Sequence, residues 1–226
     1  MDKDAAALVL QARHRQCVEE LFDDYAEDFD EHLSSLGYEV PQLLLSLLPQ
    51  RKFQRSVDLG CGTGLAGLAI RSRCERLEGV DLSSRMVEKA AEREIYDALH
   101  CSDLVAFLRR QETASCDLLV ATDVVMYLYS IEPFLHQARR VLRGSGVLIF
   151  STEAASEAEA EAHGGTVERA SERFAHGRSF LLKSAEGFDL MDVKEVNIRR
   201  QGTSTVQCSS VVVPHLPGEG CSPPAR

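Results

Sequence analysis

Two kinds of apolar spacing divide the chain. Over residues 1–50 the apolar positions recur every three to four residues, which predicts helices. These are Ala5–Phe22, then Tyr25–Leu36 ending on Gly37 as a C-terminal cap, then Gln42–Leu48 behind Pro41 and closed by Pro49. From Arg55 the pattern becomes short continuous apolar runs: Ser56–Leu59, Leu77–Val80, Ala98–Cys101, Leu118–Ala121 and Val147–Phe150. Helical stretches lie between them at Gly64–Arg73, Ser84–Glu94, Leu104–Arg110 and Ile131–Leu142. Strands alternating with helices predict βαβ units and a parallel sheet, and strands apolar at every position suit a sheet covered on both faces.

The last third reads differently. Ala154–Ala162 is acidic and of low complexity, a solvated helix or a mobile loop, and a charged stretch continues through Arg178. Phe180–Glu186 reads as a helix. Two strand-like runs, Leu190–Ile198 and Thr205–Val213, then follow with only a turn around Gln201–Gly202 between them, so they must pair antiparallel. The expected division is a helical cap over 1–50, an α/β domain over 51–213, and a Pro- and Gly-rich tail over 214–226 expected to be disordered.

Composition narrows the partners. The 226 residues carry 25 Lys and Arg against 35 Asp and Glu, a net charge of −10, which argues against nonspecific nucleic-acid binding. The longest apolar runs fall far short of the roughly 18 residues a membrane span needs. The N-terminus, with acidic residues ahead of its short apolar run, does not read as a secretory signal. Seven scattered cysteines with no CxxC pair fit reduced thiols in a cytoplasmic protein, and neither a disulfide framework nor a metal site.

The chemistry concentrates in Val57-Asp58-Leu59-Gly60-Cys61-Gly62-Thr63-Gly64, a strand running into three alternate glycines and then a helix. Such a loop lets a ligand approach the backbone closely. Two cofactor classes compete for it. Gly62, Gly64 and Gly67 have the GxGxxG spacing of dinucleotide binders, with Asp81 at the distance of a ribose acid. Against this, Asp58 puts a carboxylate where a pyrophosphate would be repelled, and the terminal hairpin does not suit the mononucleotide-pair architecture. A phosphate-free sulfonium nucleoside, S-adenosylmethionine, is the alternative: Asp58 for its ammonium, glycine N–H groups for its carboxylate, and Asp81 for both ribose hydroxyls.

VDLGCGTG and Gly79-Val80-Asp81-Leu82-Ser83 resemble the first two motifs of class I S-adenosylmethionine-dependent methyltransferases. Cys101-Ser102-Asp103-Leu104 resembles the third, Cys116–Val124 the fourth, and Val141–Leu148 the entry into the fifth strand, so the resemblance covers roughly residues 55–152. The flanks, Leu21–Tyr38 and Arg173–Leu181, are similar to methyltransferase domains attached to tetratricopeptide-repeat proteins of bacteria. The resemblance implies a Rossmann-like, doubly wound α/β fold with a seven-stranded sheet in the order 3-2-1-4-5-7-6, the last strand antiparallel, beneath an N-terminal helical cap.

It also implies a cofactor site of Tyr25, Asp58, Gly60, Cys61, Gly62, Gly64, Asp81, Leu82, Met86, Ser102, Asp103, Leu104, Ala121 and Asp123. Tyr25 and Phe29 would fold over the cofactor, although at i, i+4 they could equally be core. Asp103 and Asp123 could instead cap the helical turns that follow them. His32 and His176, in the two flanks, are the candidate catalytic bases, against the alternative of ordinary structural histidines. The expected acceptor is a small molecule, with a protein acceptor as alternative, and the expected assembly a monomer or weak dimer. The rival readings are an NAD-dependent oxidoreductase and a catalytically silent methyltransferase-fold binding module.

Overall fold

The computed structural model describes residues 3–188, 192–201 and 204–215. Three helices come first, α1 (Lys3–Tyr25), α2 (Phe29–Ser35) and α3 (Val40–Leu47). Strands and helices then alternate: β1 (Phe53–Leu59), α4 (Leu65–Ile70), β2 (Cys74–Asp81), α5 (Ser84–Glu92), β3 (Ala98–Cys101), α6 (Leu104–Arg110), β4 (Cys116–Ala121), α7 (Glu132–Val141) and β5 (Leu142–Ala154). The chain continues through α8 (Glu157–Ala162), β6 (Thr166–Glu168), β7 (Phe174–His176), α9 (Arg178–Ser184), β8 (Asp192–Gln201) and β9 (Ser204–His215).

The helix boundaries follow local chemistry. Gly37, at φ +64°, ends α2: its N–H donates to Ser34 O and that of Tyr38 to Leu33 O, the paired bonds of a Schellman cap. Pro41 opens α3. Ser83 and Asp103 cap α5 and α6 by accepting from the N–H of Met86 and Ala106 at 3.0 and 2.8 Å. The expected helix Tyr25–Leu36 is interrupted at residues 26–28, where Ala26 turns inward and is buried.

In the sheet, β1 lies between β2 and β4, all parallel; β3 flanks β2 and β5 flanks β4. β9 runs antiparallel to β5 along Val147–Glu153, and β8 antiparallel to β9. Counting β8 and β9 as sixth and seventh strands gives the expected order 3-2-1-4-5-7-6 with the last strand antiparallel. The sequence reading missed β6 and β7. This short antiparallel ribbon, whose β7 adds in parallel to β5 at Glu153 and Ala154, falls in the stretch read only as charged. Within Ala154–Ala162, Glu157–Ala162 forms the helix α8, capped by Ser156, while Ala154 closes β5. Leu190, Gly202 and the tail 216–226 of the earlier expectation lie outside the described residues.

Strand alternation splits the core in two. Val57, Leu59, Leu119 and Phe150 face α6, α7 and α9, where Phe134 meets Phe150 edge to face at 5.8 Å. Phe53, Leu77, Leu118, Val120 and Ile149 face the other way, onto α3 and α4. Each such side chain taken out of water contributes roughly 1.5–3 kcal/mol, so a sheet buried on both faces holds the carboxyl ends of β1, β2 and β4 rigidly in place. Among the described residues no helix is long and apolar enough to cross a membrane.

Candidate functional site

The order of strands reverses at β1, and a crevice opens beyond the carboxyl ends of β1 and β4, where open α/β sheets bind ligands. α1 and α2 cover it, leaving a cavity of about 580 Å³, within the range of small-molecule and cofactor sites.

The glycine loop forms its floor. Gly60, Gly62 and Gly64 have φ of +69°, +52° and +97°. At Gly60 a Cβ would stand 2.5 Å from Val124 Cγ2, so the side chain is excluded by space as well as by conformation. The loop is tied to β2: the N–H groups of Gly60 and Cys61 both donate to Val80 O, at 2.7 and 3.0 Å, and that of Gly62 donates to Asp81 Oδ2 at 2.7 Å. The N–H of Gly64 donates to Cys61 O at 2.8 Å. These four amides are therefore committed to β2 and to the loop itself, contrary to the expectation that they hold a ligand carboxylate.

Asp81 presents its carboxylate on the cavity lining. Each oxygen accepts one amide, Oδ2 from Gly62 and Oδ1 from Ser83 at 3.0 Å, and each keeps acceptor capacity toward the cavity. Burial raises its pKa while these hydrogen bonds lower it, with a net upward shift. Asp103 caps α6, as one of the two alternatives weighed for it had it, and also lines the cavity at the end of β3. Asp123 lies two residues after β4. It sits at φ +50° and is clasped to buried Ser151 of β5, whose Oγ donates to Asp123 Oδ1 at 2.8 Å and accepts from Asp123 N at 2.7 Å. Leu82, Ser102, Leu104, Cys61, Tyr25 and His32 also line the cavity.

Five expected residues do not. Asp58 is fully buried on the opposite face of β1 from Val57 and accepts from Tyr96 Oη at 2.7 Å. Burial, reinforced by the charge of Asp81, pushes its pKa up to about 7 despite that hydrogen bond. Tyr96 in turn fills the space below the loop: a Cβ on Gly67 would lie 2.1 Å from its Oη. The third glycine of the dinucleotide spacing therefore makes room for a tyrosine. Gly64 packs against Arg93 and Tyr96 at the start of α4. Met86 and Ala121 are buried beneath α5 and at the end of β4. His176 is 1% exposed, hydrogen-bonded through Nδ1 to Thr152 Oγ1 at 2.7 Å and stacked on Phe180, and burial pushes its pKa down to about 4. It is a core histidine without access to the cavity, which corrects its reading as a candidate base.

The cover is an aromatic cluster. Phe29 packs edge-on to Phe22 and Tyr25, and its ring lies over Gly62. Tyr25 Oη meets His32 Nδ1. Acids on the cover fix it to the sheet's loops: Asp23 accepts from Ser83 Oγ, Asp30 accepts from Thr63 Oγ1 and pairs with Arg93, and Glu27 pairs with Lys89 at 2.8 Å. The sequence reading missed the α1 residues Gln11, His14, Arg15, Val18 and Phe22, which line the cavity with Tyr25. They recur every three to four residues, but mix polar and apolar types, so hydrophobic periodicity alone does not mark the face.

Comparison with known proteins follows this geometry. Residues 57–150 match the family model described as a methyltransferase domain. The malonyl-acyl-carrier-protein O-methyltransferase of Enterobacter lignolyticus is 29% identical over 141 residues, covering 62% of this chain and 55% of that protein. The chain thus spans about half the length of the curated relatives it matches. An S-adenosylmethionine-dependent methyltransferase of Thermotoga maritima superposes with a TM-score of 0.64 at 18% identity, covering 87% of this chain and 99% of that one. The N-methyltransferase NodS of Bradyrhizobium japonicum, solved with S-adenosylhomocysteine, gives 0.54 at 19% identity, covering 78% and 86%. The fold is the Rossmann-like fold of these methyltransferases, and the resemblance read from the motifs is supported over residues 57–150.

Proposed function

We propose that this chain is an S-adenosylmethionine-dependent methyltransferase, with the cofactor seated on the glycine loop and the acceptor at the far end of the same cavity. The observation that carries the reading is Asp81: a carboxylate at the end of β2, braced by the loop's own amide and still open to the cavity. Asp103 and Asp123 add two more carboxylates along the same rim. A floor of acids suits ribose hydroxyls, an amine and a sulfonium, and repels a pyrophosphate. Together with the occupation of Gly67's space by Tyr96, this weighs against the NAD-dependent reading.

The residues fit the cofactor. Asp81 would accept from the ribose, Asp103 through its remaining capacity from the adenine amine, and Leu82 and Leu104 would supply apolar walls. When bound, S-adenosylmethionine supplies a methyl group already activated on a sulfonium sulfur. What this chain contributes is position and dryness: Phe22, Tyr25 and Phe29 close over the loop and exclude water. His32, on the cavity wall and joined to Tyr25 Oη, is the candidate base for acceptors that lose a proton.

The acceptor in this reading is a small molecule or a group carried on a protein. The curated relatives, named for a malonyl group on acyl carrier protein, support the second form. The flank similarity to methyltransferase domains of tetratricopeptide-repeat proteins, over Leu21–Tyr38 and Arg173–Leu181, belongs to the same reading. The cytoplasm is the compartment that fits the five cysteines found free among the described residues. Calorimetric titration with S-adenosylhomocysteine and NADH tests the proposal. Binding of the first is expected, weakened by about 1–3 kcal/mol in Asp81→Ala, the scale for losing a charged acceptor. Binding of NADH alone would overturn it.

A further inference from the structure

The cavity is lined by both acids and bases. Its carboxylates, Asp81, Asp103 and Asp123, all stand on the loops that end β2, β3 and β4. The basic residues on the lining are His14 and Arg15 of α1, His32 of α2, Arg109 of α6, and Arg173 in the connection between β6 and β7. Two rings and Arg173 gather at Phe174: the His14 ring meets it at 5.3 Å and the Tyr129 ring at 5.7 Å, while Arg173 is its neighbour in the chain.

Arg173 is the informative member. Its side chain is only 15% exposed. Its Nε donates to Ser171 Oγ at 3.1 Å and lies 3.4 Å from Glu153 Oε2. Glu153 is shared with Arg169, whose Nε is 3.5 Å from Oε1, so one carboxylate faces two guanidiniums. Among the described residues, Nη1 and Nη2 of Arg173 have no hydrogen-bond partner. A largely buried guanidinium with its outer edge unspent, on the wall of a cavity, is an anion site.

We propose that Arg173 binds a carboxylate on the acceptor and so selects acidic acceptors. This rests on the methyltransferase reading for the word acceptor, though the binding itself can be measured without it. A single planar fork matches the two oxygens of a carboxylate, whereas a phosphate dianion would call for more charge than one guanidinium already facing Glu153 supplies.

Straight-chain monocarboxylates from acetate to decanoate, and the matching amides, are titrated calorimetrically into the full chain with and without S-adenosylhomocysteine. At least one acid is expected to bind about tenfold or more tightly than its amide. Arg173→Ala should abolish that advantage, and Arg173→Lys should keep part of it, since the charge survives and the fork does not. Glu153→Gln should raise the acid's affinity by freeing Arg173, a readout that a merely structural arginine would not give, and it also carries the test if Arg173→Ala fails to fold. Acids and amides binding alike, neither binding, or an alkyl phosphate binding more tightly than every acid would each overturn the inference. Failure of S-adenosylhomocysteine to bind would overturn the methyltransferase reading separately.

Discussion

Residue by residue, the site is held by side chains that never face the ligand. Tyr96 is the central case: its ring lies under Gly64, Gly67 and Gly79, and its hydroxyl is the donor to Asp58. Tyr96→Phe would leave the Asp58 carboxyl without that donor and should destabilise the fold by about 1–3 kcal/mol in denaturant unfolding. Gly67→Ala drives a methyl into the Tyr96 hydroxyl and should cost a similar about 1–3 kcal/mol by overpacking. That Asp58 belongs to this buried pair was not legible in the sequence. An acid in an apolar strand demands a partner, but the donor lies 38 residues away and only folding reveals it. Asp81, by contrast, was legible because strand end, glycine loop and carboxylate are set by short-range spacing.

At the scale of elements, the cover over the cavity is fixed by polar contacts more than by packing. α2 has one fully buried apolar residue, Leu33, and α1 leaves Val9, Leu10 and Leu21 exposed. Asp23, Glu27 and Asp30 instead meet hydroxyls and cations on the loops around β1 and β2. Partly exposed ion pairs are screened by salt. Asp30→Asn should therefore speed release of S-adenosylhomocysteine several-fold in stopped-flow displacement, and added salt should speed release from the unmutated protein more than from the variant. The helices themselves were readable from periodicity and from Gly37 and Pro41. The β6–β7 ribbon was not: its strands are three residues each, too short for alternation to register, and they are strands only because β5 offers an edge at Glu153 and Ala154.

For the whole molecule, two buried groups set opposing dependences on pH. Asp58 titrates near 7 in the folded state and near 4 when unfolded, so the folded state holds the proton more tightly. Its contribution is present below about 4 and lost as pH rises toward 7. His176 titrates near 4 folded and near 6.5 unfolded, so its contribution is present above about 6.5 and lost as pH falls toward 4. Urea unfolding between pH 4 and 7 should thus show a partial cancellation in the unmutated protein. Asp58→Asn should make stability climb with pH across this window, and His176→Gln should make it decline. A parallel response of both variants would contradict the burial of one of the two. The sheet order was predictable at this scale because alternation of strand and helix, followed by a bare hairpin, admits few topologies. The placement of His176 was not, since a histidine near a site and one within a core look alike in a linear chain.

β5 is joined to three neighbours, and they divide its length unequally: β4 and β9 share its middle, while the ribbon takes only its last two residues. Whatever the ribbon recognises can consequently drift without disturbing the floor on which the reaction depends. A lineage could trade residues 157–176 for another insertion and inherit the same chemistry with a different clientele.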